Sequence, residues 1–468
     1  MKYLVSVVLF SLMLTSCTTN KTPFATIEGQ YVGYKEGKEI HLSKVEHGKT
    51  FKVAVTKIGA DGYFGFYYPV DTAGLYVVNI VWDKALRPVK RDHDLNRIYL
   101  EKGTEVKIEI NDGEYKLLNT NSDKNRLLSE WNTQADSLFS YSHGFSYNIT
   151  DYTTFFPKLP DFVEEANQFK KKINTGDKRF DELMQLMVET DMNLAALNFI
   201  YTPRRKHPTK DMYPEYYSYI SKERAPKSER LLELANGYSY IRLYTMFSVL
   251  TSEDNTNRKD WNKIALSKIP NDLLKGYYAY EVIKRMKSYD NNYLNFKKMI
   301  EPYLLNDYLK NGVNEYEMTI RKIEAGAPSI DFAGTDVTGK EHKLSDYRGT
   351  VVYVDVWATW CGPCKAQIPY LKKLEKKFHG KPVTFMSISV DKVKDRKKWE
   401  NFVKEENLQG VQIMADNAFE SDVAKAYKIN AIPRFMIFDK EGKIVTIDAI
   451  RPGNEKIEDE LNRLVSKK

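Results

Sequence analysis

Cysteine is scarce in this chain of 468 residues: there are three, at positions 17, 361 and 364. So few cannot build a disulfide framework, and the fold must rest on ordinary apolar cores. Histidine is scarce too, with seven scattered residues. Only His41 and His47 lie close together, in a Gly- and Lys-rich region that reads as surface. Zinc-ligand spacing is absent, and no metal site is expected. Beyond residue 14 there is no long apolar run, so the body of the chain has no expected membrane span. Charge of one sign is nowhere concentrated either. The net charge is +8, but lysines are interleaved with acids, as at 392–398, where Asp395 interrupts them. With no nucleic-acid-binding motif to accompany that charge, nucleic acid is not an expected partner.

The length does call for two or three domains. A hydrophobic content of 42% with 29% charged residues describes a folded chain rather than a disordered one. Residues 1–17 form a leader with one basic residue, Lys2, an apolar stretch from Leu4 to Leu14, then Thr15, Ser16 and Cys17. Eleven apolar-stretch positions are too few to span a bilayer, so the stretch reads as a signal segment. Small residues followed by cysteine resemble the lipobox of bacterial lipoproteins. That resemblance implies a signal peptide at 1–16, lipidation at Cys17, and a tether at 17–24. It also implies a place in the cell envelope, anchored by lipid and facing the periplasm, where disulfides persist.

From 25 to 112 short alternating runs begin at Thr26, Glu39, Phe51, Tyr63, Leu75 and Val106. Turn signals at Asp61-Gly62 and at 111–113 separate them, which predicts a small β-sandwich-like domain. From 113 to 325 the period becomes helical. Leu183, Leu186, Met187, Thr190, Leu194 and Leu197 share one face, and so do Leu231, Leu234, Tyr238 and Ile241, then Val282, Ile283 and Met286. The tyrosine pairs 216–217 and 277–278 read as core with hydroxyls reaching the rim. From 326 to 468 strands and helices alternate. Strands are expected at 351–357, 383–390, 411–414, 434–438 and 444–449, and helices at 362–378, 394–406, 419–428 and 455–466. A hairpin at 439–442 makes the sheet mixed. The fold class is therefore multidomain: a β domain, an all-α middle region, and a C-terminal α/β domain.

The run 351–356, Val-Val-Tyr-Val-Asp-Val, leads into Trp-Ala-Thr-Trp-Cys-Gly-Pro-Cys at 357–364. An apolar strand thus delivers two cysteines, spaced C-x-x-C, onto the first turn of a helix, and this reads as a dithiol redox site. A thiol attacks a disulfide only as thiolate. A helix N-terminus at Cys361 supplies unpaired amides and a positive dipole end that favour the anion. Pro363 fits the first turn, where its missing N–H costs little. Gly362 is expected to let the loop turn tightly and leave Cys361 exposed. Cys364, one turn in, is expected to be shielded and to attack a mixed disulfide on Cys361. Half a zinc site would need a second ligand pair, which is absent. A plain structural disulfide does not call for Trp360, Gly362, Pro363, Asp355 and Pro433 together.

This segment resembles thioredoxin. Asp355, six residues before Cys361, stands where thioredoxin has its buried carboxylate, and Pro369 where its long helix is kinked. Ile432-Pro433 stands where the family has a cis-proline that lies against the active sulfur and presents a backbone edge to substrates. The resemblance implies catalytic roles for Cys361, Cys364, Asp355 and Pro433, with Trp360, Gly362, Pro363 and Ile432 contacting substrate. A front hairpin at 330–344 and the long 390–411 segment are more similar to the TlpA and ResA type of thiol-disulfide oxidoreductase, membrane-tethered reductases of exported proteins. An uncharacterised β domain precedes thioredoxin domains in many Gram-negative lipoproteins, and 25–112 loosely resembles it. The resemblance implies protein thiols and disulfides as substrates, an inner-membrane electron donor, a membrane contact through the lipid anchor, and no cofactor. Many relatives carry glutamate three residues after the second cysteine; here that position is Gln367, leaving acid–base duty to Asp355 alone. Two other functions stand as alternatives. A thiol peroxidase of the AhpC/TSA type needs a Pro-x-x-x-Thr-x-x-Cys pattern, and Val354 and Ala358 occupy its Pro and Thr positions. A binding lipoprotein with a secondary redox domain is compatible with the first 300 residues, which carry no ligand motif.

Overall fold

A computed structural model of the chain describes residues 22–32, 39–80, 96–111, 114–142, 150–202, 206–252 and 261–466. The leader, Cys17, the tether up to residue 21 and the turn residues Asp112 and Gly113 lie outside the described residues. Two compact units divide the chain, Met1–Tyr278 and Ala279–Lys468. Among the described residues no helix is long and apolar enough to cross a membrane.

The first unit opens with eight strands: β1 (Phe24–Val32), β2 (Glu39–Glu46), β3 (Lys49–Lys57), β4 (Tyr63–Pro69), β5 (Gly74–Ile80), β6 (Arg97–Leu100), β7 (Glu105–Asn111) and β8 (Glu114–Thr120). They form two four-stranded sheets, ordered β4-β1-β7-β8 and β3-β2-β5-β6. Alternation drives the pairing: Ala25, Ile27, Gly29 and Tyr31 of β1 are buried while their neighbours are not. Ile27, Phe66 and Ile108 from one sheet share a core with Leu42, Val78 and Ile98 from the other. The strand β8 lies where a helical region was expected to begin. Tyr115 and Leu117 alternate with polar residues and pack on that core, so the chain adds a strand beside β7 before it turns helical.

Helices follow: α1 (Asp123–Ser142), α2 (Tyr152–Lys172), α3 (Lys178–Tyr201), α4 (Glu215–Glu223), α5 (Gly237–Thr251), α6 (Trp261–Ser267) and α7 (Asp272–Ile283). The expected stripe on α3 widens into a fully wrapped helix, buried continuously from Thr190 to Leu197. Burial on all sides obliges its polar groups to pair. Asp191 accepts from Arg97 Nη1 and from Trp131 Nε1, both at 2.8 Å, and Arg97 Nε donates to Asn132 at 2.9 Å. One buried network therefore ties β6, α1 and α3 together. The stripe from Leu231 to Ile241 is divided between a 3-10 turn (Glu229–Glu233) and α5. Tyr217, Tyr277 and Tyr278 are core, and the Tyr217 hydroxyl donates to the Ala196 carbonyl at 2.8 Å.

The second unit, from Ala279, takes in the end of α7 and then α8 (Asn291–Ile300) and α9 (Asp307–Arg321), all within the span 113–325 expected to be helical. Ile323, just after α9, is buried in the same core as Phe332, Val354 and Met386. Gly326 N then bonds Ile444 O at 2.7 Å. The sheet comprises β9 (Ala333–Thr335), β10 (Glu341–Lys343), β11 (Val351–Trp357), β12 (Val383–Ser389), β13 (Val411–Met414), β14 (Arg434–Phe438) and β15 (Ile444–Thr446). Their order is β10-β9-β13-β12-β11-β14-β15, with β11, β12 and β13 parallel and the outer pairings antiparallel. Helices α10 (Gly362–Lys365), α11 (Ile368–Lys377), α12 (Arg396–Glu405), α13 (Asp422–Ala426) and α14 (Lys456–Ser466) complete the unit. This is the mixed-sheet, thioredoxin-like architecture.

Several expected elements come out shorter, and two have a local cause. The helix expected at 362–378 is two helices, because Pro369 has no N–H for the Lys365 carbonyl and its ring crowds that turn. The strand expected at 444–449 ends at Thr446, whose Oγ1 accepts from Asp448 N at 3.1 Å and turns the backbone away from the ladder.

Candidate active site

β11 is buried at all seven positions, and its two faces serve different cores. Val352, Val354 and Val356 pack into one, with Cys361 and Cys364; Val351 and Tyr353 pack into the other, with Leu371 and Leu374 from α11 and Phe378 just after it. Asp355 shares the second face by the two-residue alternation, so a carboxylate is held inside the sheet against α11. At the strand's C-terminal end the chain leaves through Ala358, Thr359 and Trp360 into α10. Cys361 is the N-cap of that helix, and its Sγ accepts from Cys364 N at 3.2 Å.

Cys361 and Cys364 are joined by a disulfide with an S–S distance of 2.00 Å. Both are buried, at 5% and 4% exposure, so the expected contrast between an exposed and a shielded cysteine is not present in the oxidised protein. The cross-link draws both sulfurs into one core. What does differ is their setting: Cys361 Sγ takes a helix amide, and Cys364 lines a small cavity with Asp355. Gly362 opens α10 with its φ outside the left-handed region, so the turn does not require glycine. A side chain there would meet nothing within 4 Å, which leaves that side of the cysteines open. Pro363 sits in the first turn of α10. Trp360 is 56% exposed and leans toward Phe419, the ring centroids 6.3 Å apart.

The Ile432–Pro433 peptide is cis. β14 pairs antiparallel with β11 in the register Val356↔Arg434, so Pro433 falls beside the end of β11 from which the cysteine loop departs. Ile432 is half-buried against the core that holds both cysteines. Cys361, Cys364, Asp355, Trp360, Gly362, Pro363, Ile432 and Pro433 thus gather at one end of the central sheet. Gln367 points elsewhere, accepting from Gly453 N at 3.3 Å.

Two functional candidates were not singled out from sequence. Asp391 is fully buried and accepts from Thr359 N at 2.9 Å, Thr359 Oγ1 at 2.8 Å and Ser389 Oγ at 2.7 Å, so it pins the loop before Cys361. Glu375 lines the cavity that holds Asp355 and Cys364. Its spacing was the available signal: it lies seven residues after Ile368 and four after Leu371, on the inward face of α11. Burial, and then the Glu375 charge, push the Asp355 carboxyl up to about 8. Burial likewise pushes Glu375 up to about 7, partly opposed by the Lys372 ammonium. A carboxyl near 8 is matched to proton exchange with a thiol near neutral pH. Among the described residues no group of three or more His, Cys, Asp or Glu is placed to hold a metal ion.

The redoxin family model matches residues 323–461. The thiol-disulfide oxidoreductase ResA of Bacillus thuringiensis subsp. konkukian is 30% identical over 143 residues, covering 31% of this chain and 80% of that protein. The chain belongs to the ResA-type thiol-disulfide oxidoreductases. ResA of Geobacillus kaustophilus is similar at 32% identity over 125 residues, covering 27% of this chain and 69% of that protein. A crystal structure described as a thiol-disulfide oxidoreductase from Bacteroides vulgatus is 35% identical, covers 31% of this chain and 98% of its own, and has a TM-score of 0.28. A solution structure of the same description from that organism is 42% identical, covers 30% of this chain and 90% of its own, and has a TM-score of 0.27. The ResA-type enzyme is a thiol-disulfide oxidoreductase, and its family membership rests on the region that contains the C-x-x-C.

Proposed function

We propose that the chain is an exported, lipid-anchored oxidoreductase that reduces protein disulfides through Cys361 and Cys364. One observation carries the reading: the two sulfurs are bonded at a helix start, with Cys361 Sγ on a helix amide and Cys364 lining a small cavity with the buried Asp355. Cys361 as thiolate attacks a substrate disulfide and forms a mixed disulfide. Cys364 then attacks Cys361 and releases the reduced substrate. Pro433 supplies a backbone edge beside the sulfurs, and Trp360, Gly362, Pro363 and Ile432 form the surface on which a protein substrate lies.

The reducing direction is supported by the Gly-Pro dipeptide between the cysteines. It is the thioredoxin dipeptide, and thioredoxin's potential is near roughly −270 mV. No histidine stands there to stabilise the thiolate further, so the disulfide is comparatively favoured. A lipid anchor at Cys17 and a periplasm-facing position are supported by the leader sequence, and a reductant in an oxidising compartment needs an inner-membrane electron donor. The peroxidase reading is not favoured, because Val354 and Ala358 occupy the positions of its Pro and Thr.

Equilibrating the full chain with glutathione buffers tests the direction. A potential near the thioredoxin value supports the reductase; one near the roughly −120 mV of strong oxidants would show a disulfide donor instead. Fatty-acid labelling of cells carrying Cys17→Ala tests the anchor: labelling should be lost, and unchanged labelling refutes the lipobox.

A further inference from the structure

The cavity beneath Cys364 has a volume of about 10 Å³, close to the room one water needs. Around it stand Cys364 from α10, Lys372 and Glu375 from α11, Asp355 from β11, Ser387 from β12, and Gln409 and Gln412 around β13. Asp355, Glu375, Lys372 and Cys364 are the titratable groups of that wall. Tyr353, on the same face of β11, lies outside that wall: its buried phenol, pushed far up by burial and by the Asp355 charge, donates to the Ile450 carbonyl at 2.8 Å. Glu406 meets Lys372 at the outer rim, its carboxylate 3.7 Å from Nζ. Cys364 and Asp355 are buried, whereas Glu375 is half-buried with its Oε1 beside Gly410. The carboxyls are therefore ordered from inside to outside.

Two further atoms belong to the same wall. Gln412 Nε2 donates to Gln409 O at 2.6 Å, which fixes the amide and leaves Oε1 as a buried acceptor without a partner. Trp357 Nε1 is a buried donor without a partner. One waiting acceptor and one waiting donor suit a carboxyl pair that holds a single proton: the acid donates and the carboxylate accepts.

We infer that Glu375 is the outer member of a two-carboxyl proton path beneath Cys364, taking from Asp355 the proton that Cys364 sheds. This rests on the reading of Cys361 and Cys364 as the exchanging pair. In the resolving step the Cys364 thiol gives its proton to the Asp355 carboxylate, and the thiolate bonds to Cys361 Sγ. The bond between Cys361 and the substrate sulfur breaks, and its electron pair leaves on the substrate sulfur, which takes a proton from water. The dithiol is oxidised by two electrons and the substrate disulfide is reduced by two. Asp355 then passes its proton to Glu375, which releases it at the Lys372 rim. Glu375 acts through Asp355 and is a positioning residue.

The test uses the full chain. Infrared titration of the oxidised protein should show two buried carboxyl bands losing protons around neutral pH. In Glu375→Gln one band should vanish, and the other should titrate lower, by on the order of one pH unit, because the like charge beside Asp355 is gone. Should that variant not fold, Asp355→Asn should retain a single band, that of Glu375, near neutral pH. A lone titrating band in the wild type, or an Asp355 band that Glu375→Gln does not move, overturns the path. Single-turnover reduction of oxidised glutathione should rise with pH, and Glu375→Gln should move its midpoint down by the same amount, while the exposed Glu455→Gln should not. Unshifted midpoints in an active protein reject the path alone. A wild type that reduces nothing rejects the exchange reading, and the infrared bands then still decide the path.

Discussion

Asp355 places an acid where solvent does not reach, and its protonation is coupled to folding. Its folded pKa of about 8 lies above the ordinary 3.8. Between these values the folded protein holds a proton that the unfolded chain has lost, so this group subtracts stability as pH rises through that window. The oxidised Asp355→Asn protein should match wild type near pH ~4 and exceed it by on the order of several kcal/mol near pH ~8. Chemical denaturation at the two pH values checks this; an equal difference at both would mean Asp355 is not buried as an acid. The same variant should slow disulfide resolution by on the order of a hundredfold, the usual scale for losing a positioned proton acceptor. Gly362 is the contrasting residue. Its backbone is helical and its surroundings are open, so Gly362→Ala should change stability by no more than about 0.5 kcal/mol in thermal melts.

At the scale of elements, the loop before Cys361 is held by one carboxylate and the helical core of the first unit by another. Asp391→Ala would leave Thr359 N, Thr359 Oγ1 and Ser389 Oγ without their acceptor in a buried site, at a cost of about 3 kcal/mol. Asp191→Ala would strand the Arg97 guanidinium at 2% exposure and should cost about 3–5 kcal/mol, read from denaturation midpoints. Neither acid was legible from sequence. A buried carboxylate has partners distant along the chain, as Asp191 has in Arg97 and Trp131, and local periodicity carries no trace of them. Strong local patterns were legible: the alternation of β1, the apolar run of β11, and the C-x-x-C at a helix start. Pro369 marked a kink, and the structure turns it into a break between α10 and α11. Glu375 was legible in principle, as a charge at an inward position of α11. Its neighbours on that face, Ile368, Leu371 and Leu374, are apolar, and one acid among them leaves the apolar period intact.

For the whole molecule, the compact unit that holds the redox domain starts at Ala279, so it takes in α8 and α9 beside the domain expected from 326, with Ile323 buried in its core. A fragment starting at residue 326 should therefore be less stable than one starting at 279, by at least the roughly 2–5 kcal/mol of a lost core isoleucine. Equal melting midpoints would show that the longer start adds nothing. The central claim is that Cys361 attacks substrate disulfides and Cys364 resolves them. The most direct measurement incubates reduced full-length Cys364→Ser with a disulfide-bonded protein and maps the adduct by mass spectrometry. The account predicts a stable mixed disulfide on Cys361, absent from Cys361→Ser. An adduct formed as readily on Cys364 in Cys361→Ser, or none in either variant, would contradict it.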